Sequence, residues 1–203
     1  MASYTSFSPL RPQSMSTVRK TTLAWLLAVL WLFAMAWAFW WYQGQYLRPF
    51  DNQTTLFSGK QLRLPAALAG PGPIRVVHFW DPACPCNVGN QQHLAELLQR
   101  YQDPQHVAFY SLQKPGSRGQ LPAPLASLNP LTTLAGAEGL PASPAVAIWD
   151  QQGSLAYFGP YSEGAVCTSA NSFIEPILDA LLQGRPVLAT QTLASGCFCA
   201  WQK

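Results

Sequence analysis

The stretch RVVHFWDPACPCN, Arg75 to Asn87, decides how this chain is read. Its first half, with Ile74 before it, is a short apolar run rich in β-formers that ends in Phe79-Trp80, the pattern of a strand buried on both faces. Two cysteines, Cys84 and Cys86, follow where a helix can begin. A helix N-terminus offers unpaired amides and the positive end of a dipole, which stabilise a thiolate. The spacing predicts Pro85 at the first helical position and Cys84 as the N-cap, its sulfur over the helix amides. Cys84 is therefore the candidate nucleophile and Cys86 the candidate resolving thiol. A disulfide between them would close a small strained ring and be easily reduced.

Working outward, Leu94, Leu97, Leu98 and Tyr101 recur at helical spacing and predict a helix ending near Arg100, stopped by Asp103-Pro104. Val107–Leu112 reads as a second strand, completing a parallel βαβ pattern. The Pro-, Gly- and Ala-rich stretch 114–144 predicts loops around a short helix near Leu131–Ala137. Strands at Ala145–Trp149 and Leu155–Phe158 flank the turn Asp150-Gln151-Gln152-Gly153. A last helix is expected over Ser172–Leu182, capped by Gly184.

Upstream, Leu23–Tyr42 carries no charged residue, and about 20 apolar residues suffice to cross a hydrocarbon core as a helix. Arg11, Arg19 and Lys20 precede it and supply the whole net charge of +3, since residues 43–203 hold nine Lys/Arg against nine Asp/Glu. Basic residues before the run, and Trp37, Trp40, Trp41 and Tyr42 at its end, predict a single-pass anchor with a cytoplasmic N-terminus. A cleaved signal peptide is the alternative, since Ala34-Met35-Ala36 and Ala36-Trp37-Ala38 fit small-x-small cleavage sites. Either reading puts the rest of the chain outside the cytoplasm, which in a bacterium means the periplasm. Scattered Lys and Arg give no basic patch, so nucleic-acid binding is not expected.

At this point the chain resembles the thioredoxin-like superfamily, within it the membrane-anchored, exported branch that includes the thiol-disulfide oxidoreductases of cytochrome c maturation. That branch reads VVxFWATWCPPC, and VVHFWDPACPC matches its strand, its Phe-Trp pair and its first cysteine, Cys84. Ser143-Pro144, followed by AVAIWDQQG, stands where the superfamily places a cis-proline facing its redox cysteines. The spacing departs from CxxC by one residue. The whole chain also looks like an uncharacterised proteobacterial family of anchored thioredoxin-like proteins. The resemblance implies an α/β thioredoxin-like sandwich, a mixed β-sheet flanked by helices, and no organic cofactor. It gives Pro144 the role of holding the facing loop against the sulfur. His78 stands where thioredoxin has a buried acid, and an imidazole titrating near pH 6 to 7 would suit proton transfer there. The bland reading is a core histidine with its nitrogens satisfied.

Five cysteines leave at least one unpaired in a monomer. A disulfide from Cys167 to one of Cys197 and Cys199 reads as a staple, slightly ahead of a tail that exchanges with Cys84 or Cys86. Alternatively, Cys84, Cys86, Cys167, Cys197 and Cys199 form a soft thiolate set for copper or zinc. His93 and His106 read as helix-surface and strand-start residues, not ligands. A third alternative is a non-catalytic module held by structural disulfides.

The expected organisation is a cytoplasmic polar tail (1–20), a transmembrane helix (21–42), a stalk (43–73), the thioredoxin-like domain (74–184) and a cysteine-containing tail (185–203). The expected activity is thiol-disulfide exchange on the thiols and disulfides of exported proteins through the CxC motif, at the inner membrane; the sequence does not name the redox partner.

Overall fold

A computed structural model describes residues 17–49, 59–164, 168–187 and 194–202. The expected polar tail, apart from residues 17–20, lies outside them, as does Cys167.

Two units divide the chain, Met1–Gln43 and Gly44–Lys203. The first is dominated by helix α1 (Thr17–Tyr46). Its stretch Arg19–Gly44 is long and apolar enough to cross a membrane, with a mean hydropathy of 2.0 and no part buried in protein. At 1.5 Å per residue it extends ~39 Å.

The second unit runs β1 (Leu47–Pro49), β2 (Ile74–Trp80), α2 (Asn87–Arg100), β3 (Val107–Gln113), β4 (Asn129–Leu131), β5 (Ala142–Ser143), β6 (Ala145–Trp149), β7 (Leu155–Gly159), α3 (Ile174–Leu182), β8 (Ser195–Cys197) and β9 (Cys199–Ala200). Five strands form a mixed sheet in the order β4-β3-β2-β6-β7. Strand β3 runs parallel to both β2 and β4, while β6 runs antiparallel to β2 and β7. The strand, helix, strand, hairpin and final helix fall where the apolar periodicity places them. The helix expected near Leu131–Ala137 does not form. Leu131 instead closes the short edge strand β4, and only a single turn of 3-10 helix, Ala137–Gly139, follows.

Alternation along β2 divides the core. Ile74 and Val76 meet Leu94 and Leu97 of α2 and Ile174, Leu178 and Leu181 of α3 on one face. Val77 and Phe79 face the other way, into a cluster with Leu62, Leu140, Trp149 and Phe158. Irregular segments and the tail cover that second face. Phe198 and Trp201 are 3% and 4% exposed, and the Trp201 ring meets Phe79 edge-on with centroids 6.2 Å apart. Burying side chains of this size contributes roughly 1.5–3 kcal/mol each. Residues 194–202 are thus part of the packed domain. Strand β8 pairs with β1 and β9 pairs with β5, so the tail is stitched down by backbone as well as side chains.

Candidate functional site

The site lies at the C-terminal end of β2. Leaving that strand, the chain turns at Asp81, whose carbonyl accepts from the Cys84 N–H at 2.8 Å and whose Oδ1 accepts from the Ala83 N–H at 3.0 Å. The Asn87 side-chain amide also donates to the Asp81 carbonyl, at 2.6 Å. These bonds hold Cys84 in a turn before α2, and the residue capping the helix is Cys86, with Asn87 first inside. The expectation of Cys84 at the N-cap and Pro85 at the first helical position is corrected: Asp81 and Asn87 fix an extra turn that the Pro85 rule did not take into account.

The pairing of the sulfurs also differs from expectation. Cys84 is bonded to Cys199 and Cys86 to Cys197, across 115 and 111 residues. The two CxC motifs lie face to face and are joined rung by rung. Cys86 is therefore not paired with Cys84, and both tail cysteines are already engaged, so neither staples to Cys167. The physical reason is the β9–β5 ladder, which sets Cys199 opposite Ser143 and brings the tail directly over the CPC turn. The sulfurs of Cys84, Cys86 and Cys199 all lie within 4.8 Å of one another. Bonded as disulfides, they are not thiolate ligands in this state.

Pro144 stands where the resemblance places it, and the Ser143–Pro144 peptide bond is cis. The Cys84 sulfur sits 3.7 Å from the Ser143 carbonyl oxygen. On the other side of Cys84 a cleft of about 450 Å³ opens, lined among others by Trp80, Pro82, Pro85, Val88 and Arg118. Cys84 lines this cleft and Cys86 does not. Lys114, which no motif in the sequence marks, pairs its ammonium with Asp81 Oδ2 at 2.9 Å and donates to the Ala200 carbonyl at 3.0 Å. It ties the CPC turn to the tail. The one signal for this pair was Asp81 itself, an acid where the resembled motif has alanine.

His78 is fully buried on the helix-facing side of β2, its Nδ1 hydrogen-bonded with the Tyr161 hydroxyl at 2.8 Å. Its Nε2 has no hydrogen-bond partner among the described residues. Burial pushes the imidazole down to about 3, so it stays neutral around neutrality and does not titrate near pH 6 to 7 as expected. Because the folded value is depressed below the ordinary 6.5, the stability linked to His78 is complete above pH 6.5. It is lost as pH falls towards 3. One proton taken up on unfolding gives about 1.4 kcal/mol per pH unit, so this residue should remove about 2 kcal/mol between pH 6.5 and pH 5. Denaturant titrations of wild type and His78→Gln at those two pH values check this. The variant should show a pH dependence smaller by that amount.

His93, expected on the helix surface, is buried instead. Its Nε2 lies 3.1 Å from Ser172 Oγ and 3.4 Å from Glu175 Oε2, because α3 and the loop before it cover that side of α2. His106 is exposed beside Asp103, at the start of β3 as expected. Trp80 and Trp149 are core residues.

The mixed sheet with helices is α/β and consistent with a thioredoxin-like fold. The chain belongs to the family described as a domain of unknown function, DUF6436, which matches residues 53–201. No curated protein matches it. Among solved structures, an uncharacterized conserved protein from Geobacillus kaustophilus is 20% identical with a TM-score of 0.52, over 78% of this chain and 87% of that one. The hypothetical protein SMc02350 from Sinorhizobium meliloti 1021 is 18% identical with a TM-score of 0.50, over 76% and 92%. These two share the fold. MTB DsbF, solved in mixed oxidized and reduced forms, is 20% identical at a TM-score of 0.39 over 55% of this chain and 82% of its own, too distant to argue from.

Proposed function

We propose that this protein is a membrane-anchored thiol-disulfide oxidoreductase that acts on exported proteins, with its disulfides carried between two facing CxC motifs. The observation that carries this reading is the pair of adjacent disulfides, Cys84–Cys199 and Cys86–Cys197, set beside Pro144 with one bond bordering an open cleft. Helix α1 would serve as the anchor, with Arg19 and Lys20 on the cytoplasmic side.

In the proposed reaction a substrate thiolate enters the cleft and attacks Cys84 Sγ. A mixed disulfide forms with Cys84 and the Cys199 thiolate leaves. A second thiol of the substrate then attacks its own sulfur in the mixed disulfide, expelling the Cys84 thiolate. The substrate gains a disulfide, and two electrons and two protons pass to the Cys84–Cys199 pair. The new thiolate of Cys84 or Cys199 lies within 4.8 Å of Cys86, so it can attack the second bond and redistribute the oxidising equivalents. Run backwards, the same steps reduce a substrate disulfide. The tail acts as the resident exchange partner of Cys84, a role the sequence assigned to Cys86.

The test is direct. The full chain in detergent, mixed with a reduced dithiol peptide, should yield up to two equivalents of oxidised peptide per chain, read by mass spectrometry. No oxidised peptide above a metal-free buffer control would reject the proposal.

A further inference from the structure

We infer that the four sulfurs of the facing motifs, Cys84, Cys86, Cys197 and Cys199, form in their reduced state a closed site for one soft d10 cation, zinc(II) or copper(I). The sequence left the metal alternative open with five cysteines; the structure defines a set of four, and the inference does not depend on the exchange activity.

A metal site requires that the sulfurs stay together once their bonds are cut, and here they would. Strands β8 and β9 keep their ladders to β1 and β5 without any sulfur. The Phe198 N–H donates to the Tyr46 carbonyl at 3.0 Å, Lys114 holds the Ala200 carbonyl at 3.0 Å, and the Gln202 side-chain amide donates to the Glu138 carbonyl at 3.0 Å. Phe198 and Trp201 remain packed in the core on either side of Cys199. Reduction thus produces four thiols on two backbones that are each fixed, with Cys84 and Cys86 only 4% and 5% exposed.

Three of the four sulfurs are already near tetrathiolate spacing, and the fourth, Cys197, lies outside that group but is bonded to Cys86 and swings in by rotation of its side chain. Zinc–sulfur bonds of about 2.3 Å at tetrahedral angles place ligand sulfurs ~3.8 Å apart. The sulfurs of Cys84, Cys86 and Cys199 lie within 4.8 Å, so they need to close by about 1 Å, while each bonded pair parts by rotation of its side chains. Thiolate-only ligands select soft cations over calcium or magnesium. Four thiolates confined in so small a volume repel one another, and a cation at their centre removes that repulsion.

The balance is simple. A dithiol reductant delivers two electrons and two protons to each disulfide, giving four thiols. Binding of the metal then releases those protons as the thiolates coordinate.

The full chain in detergent, reduced with a phosphine and freed of reductant without oxygen, is titrated with cobalt(II). One cobalt per chain is expected, with sulfur-to-cobalt charge-transfer bands and tetrahedral ligand-field bands, both bleached by zinc(II). The oxidised chain should show neither. Losing an outer-shell partner of a metal costs 10–100-fold, so Cys84→Ser or Cys197→Ser should weaken binding by at least ~10-fold. Cys167→Ser should leave it unchanged. Absence of thiolate bands in the reduced chain, or equal affinity in Cys84→Ser, overturns the inference. Near-UV circular dichroism on the same sample covers loss of fold: a reduced chain whose tertiary signal disappears and is not restored by cobalt also overturns it. Peptide oxidation by the oxidised chain is measured separately, so failure of the exchange reading leaves this result standing, and the reverse holds.

Discussion

Removal of the Cys84–Cys199 bond by C84S/C199S is expected to lower the rate of peptide dithiol oxidation by ~100-fold or more, because neither sulfur of the remaining disulfide borders the cleft that a substrate thiolate would enter. The cleft is bordered by Cys84, and by neither Cys86 nor Cys197. The complementary variant C86S/C197S keeps the bond at the cleft. It should perform the first oxidation at a rate within a few-fold of wild type and stop after one equivalent of peptide per chain. Paired substitutions avoid leaving a stray thiol that would itself exchange. Rapid-mixing assays of the first and second equivalents separate the two variants. Equal losses in both, or an unaltered rate in C84S/C199S, would mean that access through the cleft has been misassigned.

The same variants carry the second large expectation, which concerns stability. Closing a loop of more than a hundred residues stabilises a fold by about 5 kcal/mol through the entropy of the unfolded chain. The two bonds here span 115 and 111 residues and are nested. Once either has formed, the other closes only the small ring made by Cys84-Pro85-Cys86 and Cys197-Phe198-Cys199, about 2 kcal/mol on the same relation. Each paired variant should therefore lose about 2 kcal/mol, and the four-serine variant about 7 kcal/mol. Denaturant unfolding of the oxidised proteins measures all three. If the two pairs added independently, the bonds would not share one loop as the structure shows.

Much of the domain was legible because its signals are local. The apolar run Ile74–Trp80, the spacing of Leu94, Leu97 and Leu98, and the turn at Asp150–Gly153 each specify an element within one window. Ser143-Pro144 was legible through its order relative to the cysteines. What escaped the sequence is long-range. GCFCAW is too short to show a period, and its place on the sheet follows from the ladder to β5 and the pocket beside Phe79, neither of which is written in the tail itself. The pairing of CxC with CxC has the same origin, since cysteine counting cannot choose among partners. His93 was misplaced because the apolar stripe of α2 does not reveal that Ser172 and Glu175 will cover its neighbour. The position of Cys84 depends on Asp81 and Asn87, whose bonds set the turn and which no helix-start rule for proline includes.

The nested sulfur ladder also has a consequence for how the molecule matures. If the domain is exported as proposed, a chain emerging N-terminus first presents Cys84 and Cys86 to an oxidising compartment while Cys197 and Cys199 are still more than a hundred residues behind. During that interval the early cysteines have only each other, Cys167 or foreign thiols to join. Any bond made in that interval has to be reshuffled to reach the native rungs, so on the proposed reading a newly made copy of this protein can itself be a client of the chemistry proposed for it.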